Sequence, residues 1–135
     1  MATIRFKGIR ASEGFRLEEV FAIVSAGKQA GSIDERAVWG ALGESARSAF
    51  VTEKAESDEW LRKWQADRSI QIPWDFGSWI DAFLNADVDL RSISVTAAGE
   101  GEITFEQRSH PSGGIDATEE IVRAFGGVVV ANDAL

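Results

Sequence analysis

Residues 73–107 read PWDFGSWIDAFLNADVDLRSISVTAAGEGEITFEQ, and this stretch decides the fold. Asp75 has the short polar side chain that caps a helix, and Phe76, Trp79, Ile80 and Phe83 follow at the i, i+3, i+4, i+7 spacing of a buried helical stripe. Pro73 pushes Ile72 away from helical geometry, so the helix begins after it. The pattern then changes period. Residues 88–96 and 102–108 alternate apolar and polar positions around Ala97-Ala98-Gly99-Glu100-Gly101, which predicts an antiparallel hairpin. The aromatic stripe is expected to pack against Leu90, Ile93, Ile103 and Phe105 of that hairpin.

Working outward, residues 3–10 alternate in the same way. Ile4 and Phe6 face inward and Arg5 and Lys7 outward, as in a half-buried strand. Leu17, Val20, Phe21 and Val24 form a second helical stripe, closed near Gly27 and Gly31. Ser32 and Glu35 match a capping box, which predicts a helix from Ile33 with Val38, Leu42 and Phe50 on its buried side and a weakening of about 1 kcal/mol at each of Gly40 and Gly43. Ser57 is the expected N-cap of a short charged helix whose apolar face is Trp60, Leu61 and Trp64. Thr118, Ile121, Val122 and Phe125 define a last helix, with Asp116 as its cap, and Val128-Val129-Val130 reads as a short buried strand. Runs of helices between runs of strands predict an α+β fold: one domain over residues 1–135, with a mainly antiparallel sheet of about four strands carrying helices on one face.

Composition narrows the function. The chain of 135 residues is 44% hydrophobic and 27% charged, close to ordinary globular usage. It has no cysteine, hence no disulfide, thiolate nucleophile or Cys-based metal site, and its single histidine excludes a His-rich one. No long apolar run and no secretory leader pattern is seen, so a cytoplasmic protein without membrane partners is expected. The net charge is −8, and residues 69–135 hold eleven acidic side chains against three arginines. Such a balance disfavours nucleic acid and favours a basic protein partner, although acidic residues also serve solubility.

Sites of chemistry are sparse. His110 stands between Ser109 and Pro111 without a nucleophile elbow, so a catalytic role is not expected. Ser112-Gly113-Gly114 lacks the lysine and spacing of a phosphate loop, and Asp116, Glu119 and Glu120 repel an anion there. Asp81, Asn85, Asp87 and Asp89 do not follow the calcium-loop pattern. No enzyme activity, metal or cofactor is therefore expected. The tryptophans weigh on the other side. Five in one small domain is unusual: Trp79 lies on the core stripe, whereas Trp60 and Trp64 sit on a short charged helix and Trp74 at a helix start, where a binding hot spot and ordinary core packing are the alternatives.

Residues 73–127, with Pro-Trp-Asp-Phe-Gly-Ser-Trp-Ile, a hairpin ending Ile-Thr-Phe, and Pro-Ser-Gly-Gly-Ile-Asp-Ala-Thr-Glu-Glu-Ile-Val-Arg-Ala-Phe-Gly-Gly, resemble the small acidic immunity proteins of bacterial polymorphic toxin systems. The resemblance implies a non-catalytic protein that binds and neutralises a toxin domain, often a basic nuclease, and it carries no binding residue across. From charge and aromatic placement, the expected partner-binding residues are Asp81, Asp87, Asp89, Trp60, Trp64 and Trp74. The alternative is a small-molecule-binding domain or a small carboxylate-based enzyme, which would show a deep pocket around a carboxylate of raised pKa.

Overall fold

A computed structural model describes residues 1–70, 72–85, 88–107 and 113–133. In chain order the elements are β1 (Ala2–Lys7), α1 (Gly14–Ala30), α2 (Glu35–Arg47), α3 (Lys54–Ala66), α4 (Phe76–Asn85), β2 (Val88–Val95), β3 (Gly101–Gln107), α5 (Gly113–Ala124) and β4 (Val128–Asn132). The fold is α+β. Its four strands form one antiparallel sheet in the order β2-β3-β1-β4, with helices packed alongside.

Alternation along the strands gives the sheet one apolar face. Ile4 lies opposite Ile103, and Leu90 opposite Phe105, all four buried. The other face is polar: Arg5 pairs with Glu102 across β1 and β3, and the hydroxyls of Ser92 and Thr104 hydrogen-bond. Asp89 and Glu106 stand opposite each other, a repulsive pairing offset where Arg91, at the β2 bulge, reaches Glu106 at 2.6 Å. The hairpin turn needs glycine at position 99, where φ is +83° and a Cβ would collide with the Ile9 carbonyl oxygen. That close approach lets the Ile9 amide donate to the Gly99 carbonyl oxygen, joining the loop after β1 to the hairpin.

The core stripes of α1 and α4 are buried as their spacing predicts. α1 covers β2 and α5 lies beside β4, while α4 packs chiefly on α5 and α1, and its stripe joins Leu90, Ile103 and Phe105 in one buried core with Ile93 packed against it. Trp79 is the centre of this arrangement. Its ring lies 4.6 Å from that of Phe50 and 5.3 Å from that of Phe83, and it has no exposed surface.

Several local expectations are corrected. The cap of α2 is Asp34, not Ser32: its carboxylate accepts from the amides of Arg36 and Ala37. Ile33 lies before the cap and is buried, as is Val38, the arrangement of a hydrophobic staple. Glu53, not Ser57, precedes the first residue of α3, and no residue of α3 is buried, so its aromatic side is not a core face. Asp116 lies within the first turn of α5 rather than capping it. β4 is an edge strand, and its Val128 and Val130 are more than half exposed. Residues 67–70 form a turn, with the Ile70 amide donating to the Asp67 carbonyl oxygen. Among the described residues no helix is long and apolar enough to cross a membrane.

Candidate binding groove

The segment before α4 is held in place by main-chain hydrogen bonds. The Val51 amide donates to the Trp74 carbonyl oxygen at 2.9 Å, and the Phe76 amide donates to the Val51 carbonyl oxygen at 2.8 Å. Asp75 then caps α4 by accepting from the Ser78 amide at 2.9 Å, while its other oxygen receives the Ser57 hydroxyl of α3 at 3.5 Å. These bonds fix Trp74 beside α3 and leave its ring half-buried.

The result is an open groove of about 580 Å³. One side is Trp60 of α3 with Ile72, Pro73 and Trp74. The other is α5, through Asp116, Glu120 and Arg123, which share one helical face at i, i+4, i+7. The groove continues past Trp60 and Trp74 toward Asp58, Leu61 and Asp75. Among the described residues its walls thus hold four carboxylates, Asp58, Asp75, Asp116 and Glu120, against the single guanidinium of Arg123. Arg123 is committed elsewhere: it donates to Glu119 at 3.2 Å, and Glu119 also accepts from Asn132 of β4. Burial pushes the Glu120 carboxyl above its ordinary pKa, and the more distant charge of Arg123 draws it back only in part.

The chain places its own cations over its tryptophans. The Lys63 ammonium stands 4.8 Å from the Trp60 ring centre, the Arg68 guanidinium 4.0 Å from that of Trp64, and the Arg47 guanidinium 5.6 Å from that of Trp39.

The structure brings together some of the residues expected to bind a partner and separates others. Trp60 and Trp74 line the same groove. Trp64 lies one turn further along α3, under Arg68. Asp81 is exposed on α4. Asp89 lines a different depression, where Lys28 and Arg91 stand beside it. Asp87 lies outside the described residues, as do Ser109, His110, Pro111 and Ser112. Asp116 and Glu120 were not among the expected binding residues. Their i, i+4 spacing was visible, but nothing local tied it to Trp60 or Trp74.

Among the described residues no three His, Cys, Asp or Glu side chains converge to hold a metal ion. No protein-family model matches the chain, and no curated protein or solved structure does either.

Proposed function

We propose that the protein is a non-catalytic binding protein whose partner is a basic protein domain, and that it acts as an immunity protein, occupying and neutralising a toxin domain such as a basic nuclease. The observation that carries this reading is α3. None of the thirteen residues of this helix is fully buried, yet it holds Trp60 and Trp64, both partly exposed, and Leu61, 45% exposed. Large side chains placed outside the core contribute little to stability, and they are the kind that dominate binding hot spots. The eleven acidic residues against three basic ones in residues 69–135 supply a field for a cationic partner.

One observation favours a small carboxylate-based site instead, namely the raised pKa of Glu120 in the groove. The open shape of the groove fits a protein surface better than a small molecule, which sites commonly enclose.

The test is capture of a partner by the tagged full chain from its source organism, followed by association kinetics at low and high salt. A partner of net positive charge is expected, with an on-rate that falls as salt rises and falls further for Asp81→Lys and Asp89→Lys at low salt. An acidic partner, or an on-rate indifferent to salt and to both reversals, rejects the reading.

A further inference from the structure

We infer that the groove between Trp60, Trp74 and the α5 carboxylates of Asp116 and Glu120 receives an arginine side chain of the partner protein. The inference rests on the proposed basic partner and names the contact it makes.

Shape and charge agree on this occupant. Ile72, Pro73 and Trp74 offer an apolar floor for an aliphatic stem, while the carboxylates stand on the opposite wall. Arg123, the one cation among the described groove residues, donates to Glu119 at 3.2 Å; its charge acts on Glu120 only from further off, and among the described residues Asp116 and Glu120 form no ion pair. Among the described residues Glu120 makes no hydrogen bond, and it is half-buried, so its charge is carried at a cost that an incoming cation would relieve. Anionic ligands are excluded by the same charges.

The tryptophans argue for a planar cation. Trp39, Trp60 and Trp64 each already stand under a cation of this chain, and two of those three cations are guanidinium groups. Among the described residues no cation is placed over Trp74, which lines the same groove as Asp116 and Glu120. A guanidinium stacks on an aromatic face while its edge donates in a fork to carboxylates; the more strongly hydrated ammonium of lysine does neither as well.

The probe is the blocked tripeptide acetyl-Gly-Arg-Gly-amide, titrated into the full chain while the indole N–H signals of Trp60 and Trp74 are followed by NMR. Its citrulline counterpart has the same shape without the charge, and its lysine counterpart has the charge without the plane. Saturable shifts of both indoles are expected with arginine, none with citrulline, and weaker ones with lysine. Glu120→Gln, an isosteric change at a half-buried position that makes no hydrogen bond among the described residues, should weaken arginine binding about threefold or more. Asp116→Asn should act in the same direction. The inference fails if arginine shifts neither indole, if citrulline shifts them equally, if lysine binds as tightly, or if Glu120→Gln changes nothing. Failure here beside a captured basic partner with a salt-dependent on-rate rejects only the groove. An acidic partner or a salt-indifferent on-rate rejects the reading on which the groove rests.

Discussion

The indole N–H of Trp79 donates to the carbonyl oxygen of Ala117 at 2.9 Å, and the bond is buried. It ties α4 to α5 by direction as well as by packing. Helix α4 therefore cannot slide along α5 without breaking a bond that water cannot replace. Trp79→Phe keeps an aromatic ring but loses volume and the donor. Urea unfolding should show a loss of about 2–4 kcal/mol, the sum of a partial cavity and a missing buried hydrogen bond. A loss under about 0.5 kcal/mol, the size of an ordinary surface change, would remove Trp79 from the centre of the core.

Gly40 and Gly43 have the same sequence context in α2 but opposite structural roles. Gly43 has φ of +77° and ψ of 170° inside the helix, and a Cβ there would stand 2.9 Å from the Arg16 Nη1 atom. Gly40 is exposed, and a Cβ there meets nothing within 4 Å. Gly43→Ala should therefore cost about 1–3 kcal/mol through backbone strain and displacement of Arg16. Gly40→Ala should be neutral or gain up to about 1 kcal/mol. Equal and small effects in thermal melts would contradict the kink at Gly43.

Periodicity explains what was legible in the sequence. The stripe at Phe76, Trp79, Ile80 and Phe83 and the alternation at Ile103 and Phe105 each report a single element against a core, and all six residues are buried. The cap of α2 was misplaced by two residues because Ser32 and Asp34 are both good caps. Burial of Ile33 ahead of Asp34 decides between them, and burial is a tertiary property. The valines at 128 and 130 read as buried from composition, yet they are exposed because β4 ends up at the sheet edge. Strand order arises from contacts far apart in the chain and leaves no local mark. The groove was half legible for the same reason: Trp60 and Trp74 stood out as tryptophans, whereas Asp116 and Glu120 join them only when α5 folds back beside α3.

Glu120 gives a pH signature. Its folded pKa lies above the ordinary 4.5 because burial disfavours the charge, so the folded state retains a proton that the unfolded chain has released. The stability this contributes is present below 4.5 and is lost as pH rises through the folded value. Glu120→Gln, which cannot ionise, should match the wild type at about pH 4 and melt higher than it at about pH 7. A variant less stable at neutral pH would mean that the carboxylate is stabilised by a partner group rather than penalised by burial.

Trp64 separates a binding role from a structural one. It lies on α3, where no residue is buried, and its ring is covered on one face by the Arg68 guanidinium at 4.0 Å. Removing it opens no cavity in the core, and the stacked arginine regains water, so Trp64→Ala should change unfolding free energy by no more than about 0.5 kcal/mol. Phe83→Ala, at a residue only 2% exposed, should lose about 3–5 kcal/mol in the same measurement. The affinities should order the other way. A tryptophan at a protein interface commonly contributes about 2 kcal/mol or more, which is roughly a thirtyfold rise in Kd for the captured partner. Titration calorimetry of the two variants against that partner reads this directly, provided Phe83→Ala is assayed well below its melting temperature. If Trp64→Ala unfolds the chain as readily as Phe83→Ala, α3 belongs to the core after all. If Trp64→Ala leaves both stability and affinity untouched, the partly buried aromatic side of α3 is not the binding face.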